Sequence, residues 1–111
     1  MKLARVIEHL SLEVFTSSAN IDQEVTGGYC GDLLSHVLSS AAPGNLWITI
    51  QHHTNVVAVA QVAELAAVLL ADGKQPNEAM LERASAGRIV LLGSSNSAFE
   101  ISGRLRQLLT G

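Results

Sequence analysis

The sequence predicts a three-layer α/β/α domain built on a mainly parallel sheet of about four to five strands. Two observations predict this fold class. Short apolar runs with the length of buried strands alternate along the chain with amphipathic helical stripes, a pattern typical of βαβ units. In addition, 111 residues suffice for one hydrophobic core but not for two, so we expect a single domain over residues 1–111.

The first half of the chain is predicted to contain two helices with a short strand between them. Apolar residues at i, i+3, i+4 and i+7 within residues 1–10 predict an opening helix. Alternation over residues 12–16 predicts a strand, and residues 19–28 are predicted to form a polar loop. A second helical stripe covers residues 33–38, with Asp32 placed to favour the positive N-terminal end of that helix.

The middle of the chain is predicted to hold two buried strands joined by a helix. Residues 46–50 are rich in β-formers, and the apolar run 66–71 has the length and punctuation of a central parallel strand. Between them, Thr54 or Asn55 can cap a helix that we expect to end near Leu65. Because the valines of this segment are β-branched, periodicity alone does not decide whether the segment is a helix or a strand.

The last third is predicted to hold two capped helices separated by a strand. Asn77 can cap the first helix, and Gly87 sits where a left-handed C-terminal cap would go. Residues 89–92 are predicted to form another buried strand. Ser97 and Glu100 form a Ser-x-x-Glu capping box, which predicts the start of an amphipathic final helix.

Composition argues against several classes of function. The net charge is −3 and the seven Lys and Arg residues are scattered, which disfavours nucleic-acid binding. The longest apolar stretch, residues 56–71, is interrupted by Gln61 and Glu64 and is too short to span a bilayer. One cysteine and no signal-peptide pattern in residues 1–10 predict a reducing, cytoplasmic location. A hydrophobic fraction of 48% and a mean hydropathy of +0.29 predict a homodimer.

A binding edge is predicted where the strands end, because open parallel sheets bind ligands beyond the carboxyl ends of their strands. The polar clusters expected there are Ser17 with Ser18, Gln51 with His52 and His53, Asp72 with Gly73, and residues 93–97. In the last cluster, Ser94, Ser95 and Ser97 precede a helix N-terminus, which suits an anion such as phosphate or carboxylate. The alternative is an ordinary strand-to-helix turn.

Five further side chains have both a functional and a structural interpretation. His52 and His53 are adjacent, so on an extended backbone they point to opposite sides and cannot both bind one metal comfortably. Either one could contact a ligand or serve only a structural role. Cys30 lies near a helix start, where a thiolate is favoured, but the buried core interpretation is preferred. For Trp47 and Phe99, a role as an anchor in a core or an interface is preferred over a role in stacking on a base.

The sequence contains no complete catalytic motif. A kinase phosphate loop has the form G-x-x-x-x-G-K-[ST], but the Gly73-Lys74 pair has Val68 at the first glycine position and Gln75 after the lysine. Serine-hydrolase, zinc-protease and dinucleotide-binding motifs are absent as well. We therefore expect a protein with no catalytic residue, no metal site and no cofactor.

The residues around the paired glycines resemble a known family. Residues 25–37 read Val-Thr-Gly-Gly-Tyr-Cys-Gly-Asp-Leu-Leu-Ser-His-Val, and together with residues 46–51, His53 and Asn55 they resemble the DRTGG domain. The resemblance covers nearly the whole chain. The arginine of the family motif is missing, since residues 22–24 are Asp-Gln-Glu, so any role of that arginine is in doubt.

The same family is similar to the N-terminal, non-kinase domain of HPr kinase/phosphorylase, and residues 68–76, residues 89–92 and Ser97 carry that likeness here. The resemblance implies a fold like that domain and a regulatory or assembly module. Members of the family occur beside nucleotide-sensing CBS domains and phosphotransacetylase. Others are small stand-alone proteins associated with iron-only hydrogenase systems.

We accordingly expect a non-catalytic regulatory or assembly domain. Its ligand would be a nucleotide or a small anionic metabolite, and its partner a hydrogenase system or a metabolic enzyme. One alternative is an accessory subunit of a phosphoryl- or acyl-transfer enzyme, with His52 or His53 as acid or base. Another is a purely structural dimerisation module, in which paired glycines serve only tight packing at a turn. The candidate ligand residues are Thr26, Gly27, Gly28, Asp32, His53, Asn55, Ser94, Ser95 and Ser97.

Overall fold

One five-stranded sheet between two layers of helices makes up the fold. A computed structural model describes residues 1–17 and 20–111. The helices in that part of the chain are α1 (Leu3–Leu10), α2 (Leu34–Ser40), α3 (Thr54–Val62), α4 (Glu78–Gly87) and α5 (Ala98–Thr110). The strands are β1 (Glu13–Val14), β2 (Gly27–Cys30), β3 (Asn45–Thr49), β4 (Ala67–Leu70) and β5 (Leu91–Gly93).

The strand order is β1-β5-β4-β3-β2. Strands β2, β3, β4 and β5 are parallel to one another, and β1 pairs antiparallel with β5. The predicted fold class, α/β with a mainly parallel sheet, is therefore confirmed. We call the edge where the four parallel strands end the carboxyl edge, and the edge where they begin the amino edge.

The central strands are buried on both faces, and their side chains alternate between two cores. One core lies under α1 and α5 and contains Leu3, Val6, Leu46, Ile48, Leu69, Leu92, Ile101 and Leu105. The other lies under α2, α3 and α4 and contains Val37, Trp47, Val56, Val57, Val68, Leu70, Met80 and Leu91. Burial of each large apolar side chain contributes roughly 1.5–3 kcal/mol, so these two cores supply most of the driving force for folding.

The predicted helix caps at Asn77 and Ser97 are confirmed. The predicted cap at Thr54 or Asn55 was wrong, because α3 already begins at Thr54, and its N-cap residue, His53, makes no side-chain cap bond. The Asn77 side chain accepts a hydrogen bond from the Met80 backbone N–H at 2.8 Å, and Ser97 Oγ accepts one from the Glu100 N–H at 3.2 Å. The Glu100 carboxylate accepts from Arg104 Nε at 3.1 Å, along the helix. The predicted left-handed cap was one residue too early, because the residue with positive φ is Arg88, at 59°.

Strand β2 contradicts the end of the predicted loop over residues 19–28, because Gly27 and Gly28 are part of a strand. Gly27–Cys30 is extended and pairs with β3, and neither of its glycines has a positive φ. The strand was missed because it is short, contains two glycines and lies at the sheet edge, where no apolar run marks it. Cys30 is exposed on this edge strand, so its preferred interpretation as a buried residue was wrong.

The two predicted aromatic anchors differ in their surroundings. Trp47 is completely buried, and its indole N–H donates to the Gly31 carbonyl at 2.8 Å, which confirms its place in the core. Phe99 is 89% exposed, so it is not a core residue. Phe99 lies in the first turn of α5.

Two glycines are expected to respond to alanine in opposite directions. Gly44 has φ of +82°, and a Cβ there would lie 2.6 Å from Thr26 Cγ2. Gly44→Ala should therefore lower the free energy of unfolding by about 2 kcal/mol or more. Gly103 lies within α5 with nothing near its virtual Cβ, so Gly103→Ala should raise that free energy by up to about 1 kcal/mol. Urea unfolding measures both, and equal effects would contradict the described backbone.

Candidate functional site

The carboxyl edge brings together most of the predicted ligand residues. Asp32 follows β2, Gln51 to His53 follow β3, and Asp72 with Gly73 follow β4. The residues after β5, Ser94 to Ser97, lead into α5 at the same edge. The parallel sheet therefore places Asp32, His53, Asn55, Ser94, Ser95 and Ser97 at one end of the molecule.

Asp32 holds the loop after β2 to the end of β3. One carboxylate oxygen, Oδ1, accepts hydrogen bonds from Thr49 Oγ1 at 2.7 Å and from the Ile50 N–H at 3.0 Å. The Asp32 carbonyl accepts a further bond from Gln51 Nε2 at 3.2 Å. Because the Thr49 side chain is buried, the Asp32 carboxylate satisfies a hydroxyl that water does not reach. Helix α2 begins two residues later without a side-chain cap.

The loops after β4 and β5 are hydrogen-bonded to each other. The Asp72 and Gly73 N–H groups donate to the carbonyls of Asn96 and Ser94, at 2.7 and 2.9 Å. The Ser94 N–H donates to Leu70 O at 3.0 Å, and Ser94 Oγ accepts from the Asn96 N–H at 3.1 Å. The polar groups of Ser94 thus stabilise the junction of two loops.

Three exposed polar side chains remain on the other half of this edge. His53 and Asn55 flank the start of α3, and neither makes a side-chain hydrogen bond to a described residue. His52 Nδ1 lies 3.2 Å from the Ile50 carbonyl oxygen. Since none of these side chains is paired with a described carboxylate, the edge offers polar contacts for a ligand but no assembled acid–base pair.

The remaining predicted residues lie elsewhere in the sheet. Thr26 is at the amino edge, where its hydroxyl donates to Pro43 O at 2.8 Å and accepts from Asn45 Nδ2 at 3.2 Å. Gly27 pairs with Asn45 at the same edge. The structure therefore does not bring Thr26 and Gly27 together with His53 and the serine loop.

Ser17 is also at the amino edge, because it follows the antiparallel strand β1. Its expected place at the carboxyl edge assumed a parallel strand and was wrong. Ser18, the other member of that predicted pair, lies outside the described residues.

The segment before the paired glycines ties β2 to the start of the fold. Gln23 Nε2 donates to the carbonyls of Asn20 and Ala66, at 2.8 and 2.9 Å. The Met1 α-amino group, 2.9 Å from the Glu24 carboxylate, and then Lys2 hold the pKa of Glu24 below its ordinary value. Gln23 and Glu24 therefore make structural contacts ahead of the paired glycines.

A groove of about 840 Å³ runs between strand β2 and helix α5. We call it the β2–α5 groove. Gly28 forms part of its floor, and a Cβ there would lie 2.9 Å from Leu105 Cδ2, so glycine allows the helix to approach the strand closely. The other lining residues include Thr26, Gly27, Tyr29, Cys30, Phe99, Ser102, Gly103, Arg106 and Thr110.

The sequence did not reveal the α5 side of this groove. Phe99, Gly103, Arg106 and Thr110 recur at i, i+4, i+7 and i+11, which places them on one helix face beside the buried stripe. That spacing was visible in the sequence, but nothing in the sequence showed which strand the face would meet.

A hydrogen-bonded chain of side chains links β2 to α2. Tyr29 Oη contacts His36 Nδ1, and His36 Nε2 lies 3.2 Å from Ser40 Oγ. His36 thus connects the edge strand to the helix that follows it. All three side chains are polar groups of the surface layer.

Neither a cluster of potential metal ligands nor a helix able to span a membrane is found among the described residues. Within residues 1–17 and 20–111, no group of three or more His, Cys, Asp or Glu side chains is arranged to hold a metal ion. None of the helices in the described part of the chain combines the length and the apolar character that crossing a bilayer requires.

Comparison with known proteins identifies a structural relative. No protein-family model matches the chain, and no curated protein matches its sequence. A solved structure of the CBS and DRTGG domains from the regulatory region of Clostridium perfringens pyrophosphatase, complexed with its activator diadenosine tetraphosphate, is similar with a TM-score of 0.71. The match has 14% sequence identity and covers 94% of this chain.

The chain has a DRTGG-like fold. It spans 45% of the length of the pyrophosphatase chain it matches. At this low sequence identity the likeness establishes the fold, and the DRTGG resemblance seen in the sequence agrees with it.

Asp32→Ala is expected to lower the free energy of unfolding by about 1–3 kcal/mol, because it leaves the buried Thr49 hydroxyl and the Ile50 N–H without their acceptor. Asp32→Asn keeps an acceptor oxygen and should cost less. Asp22→Ala, at an exposed carboxylate outside these contacts, is the matched control. Chemical denaturation tests this, and an Asp32→Ala variant as stable as the control would contradict the structural role of Asp32.

Proposed function

We propose that this protein is a non-catalytic regulatory domain that responds to a nucleotide or a small anionic metabolite. The observation that carries the proposal is the fold correspondence with domains from the regulatory region of a pyrophosphatase, which extends over 94% of this chain. That region was solved with a nucleotide activator, diadenosine tetraphosphate. Its partner would be a metabolic enzyme or, as the sequence resemblance implies, a hydrogenase system in the cytoplasm.

The polar residues of the carboxyl edge support binding rather than catalysis. Asp32 and Ser94 are committed to hydrogen bonds that hold loops together. His53, Asn55 and Ser95 are exposed and are available for polar contacts. A histidine acting as an acid or base needs an aligned partner, and the described residues supply none for His53.

Thermal unfolding in the presence of candidate ligands tests the proposed function. A compound that binds the native state at one hundred times its Kd stabilises that state by about 2.7 kcal/mol, which raises the Tm of a domain of this size by several degrees. We expect such a shift with AMP, ADP, ATP or diadenosine tetraphosphate, or with an acyl phosphate. A flat response across nucleotides, acyl phosphates and pyrophosphate would count against a sensing role.

Assembly is the second candidate function, and the free edge of the sheet favours it. Strand β2 ends the sheet, so one side of its backbone has no strand partner among the described residues. Leu33 and Phe99, exposed by 68% and 89%, are large apolar side chains that a partner surface would cover. A second copy of this chain is the proposed occupant.

Sedimentation velocity over a range of protein concentrations tests assembly. We expect a dimer that weakens in the double variant Leu33→Ser with Phe99→Ser, while Val62→Ser, at an exposed valine of α3, leaves it intact. A monomer at all concentrations, or a dimer that is equally weakened by Val62→Ser, would rule out this interface.

A further inference from the structure

Resting on the proposed function, we infer that the β2–α5 groove is the binding site for a nucleoside phosphate. The base would lie against Phe99 and the phosphate would meet Arg106. Nothing at the carboxyl edge is needed for this site, because its walls come from β2 and α5. The inference depends on four features of the groove: its open floor, the order of side chains along α5, an unpaired cation and a buried hydroxyl without a partner.

The floor of the groove has no side chain at Gly28, the residue of β2 that faces α5 there. Leu105 of α5 packs directly above Gly28, whereas Gly27 faces Asn45 on the other side of the sheet, since neighbouring strand residues alternate. Gly103 extends this opening on the helix, since no atom lies within 4 Å of its virtual Cβ. A ligand can therefore approach the backbone of an edge strand, whose outward N–H and C=O groups are available for hydrogen bonds.

The helix places an aromatic ring and a cation on one wall. Phe99 and Arg106 are seven residues apart, so they share a face of α5 and are separated by about 10 Å along its axis. The ring is 89% exposed and is free to stack on a planar group. This separation matches a ligand with a flat, weakly polar end and a charged end.

Arg106 supplies charge complementarity for the phosphate. The neighbouring groove residue Arg104 is paired with Glu100, at 3.1 Å, whereas Arg106 makes no ion pair with any described residue. A guanidinium presents several donors in a plane, which suits phosphate oxygens. The protein has a net charge of −3, which repels anions overall. An unpaired arginine in the groove provides a local positive charge that attracts an anion there.

Ser102 provides the fourth feature of the groove. Its hydroxyl oxygen is buried and has no hydrogen-bond partner among the described residues, and Ser102 lies in the wall of the groove between Phe99 and Arg106. Buried polar atoms are normally satisfied, and the inference assigns the missing partner of this hydroxyl to the ligand. A sugar or phosphate oxygen would supply it.

The size of the groove favours a small molecule. A volume of about 840 Å³ is within the range of roughly 300–1,000 Å³ for small-molecule sites. An extended peptide would require a long free edge, and β2 offers four residues. Binding of a peptide at this edge, or self-association through it, would therefore contradict the inference.

Titration of the wild-type protein with AMP and ATP by calorimetry, with adenosine and inorganic phosphate as partial ligands, tests the site. We expect both nucleotides to bind more tightly than either partial ligand. Arg106→Gln should weaken nucleotide binding about tenfold, and Ser102→Ala about three- to tenfold while leaving the unliganded Tm unchanged or higher. Arg83→Gln, on α4 in the opposite layer, is the matched control and should bind as wild type.

A second pair of variants separates groove filling from changes in helix stability. Gly103→Leu places a side chain in the groove and should abolish nucleotide binding, whereas Gly103→Ala raises helix propensity with little added volume and should retain it. Thermal unfolding and circular dichroism of both variants confirm that they fold. Because Gly103 has free space around it, failure to fold is not expected to obscure the result.

The outcomes are distinguishable. Nucleotide binding that Gly103→Leu and Arg106→Gln do not weaken would overturn the groove and leave the sensing function intact with a site elsewhere. No binding of AMP or ATP at millimolar concentration would overturn the inference, while the wider ligand panel still tests the regulatory role. NMR chemical shifts of the β2 amides that change with protein concentration alone would show that this edge self-associates. That result would also overturn the inference.

Discussion

Complete burial of β3 and β4 is the constraint on which the rest of the structure depends. Both strands have neighbours on each side and helices on each face, so their side chains alternate between two apolar cores and have no access to solvent. Polar side chains that could contact a ligand are consequently located at the ends of the strands and on the outer strands. The positions available for binding in this fold follow directly from that exclusion.

At the carboxyl edge, the polar residues first satisfy the fold itself. Asp32 closes the junction of β2 and β3 by accepting from a buried hydroxyl and a backbone N–H. The loops after β4 and β5 bond to each other through the backbone of Asp72, Gly73, Ser94 and Asn96. His53 and Asn55 lie on the outside of this edge and make no side-chain hydrogen bond to a described residue.

At the side of the sheet, the missing side chain of Gly28 has the larger effect. It lets Leu105 pack against the strand and draws α5 close to β2, while the exposed face of the helix remains beside the free strand edge. The glycines of the Thr-Gly-Gly segment therefore act by close approach of helix and strand, and not by a left-handed turn. The same packing creates the groove and exposes Phe99 next to it.

The sequence by itself determined the layered α/β fold, because period-2 and period-3.6 hydrophobic patterns and the caps at Asn77 and Ser97 are local signals. It also located the carboxyl-edge residues, since the chain must turn where a buried strand ends. It did not determine β2 or the direction of β1, because two- to four-residue edge strands are defined by pairing with distant residues and carry little hydrophobic pattern.

The groove, the exposure of Cys30 and Phe99, and the separation of Thr26 from His53 were decided only by the tertiary structure, because each depends on which strand lies beside which helix.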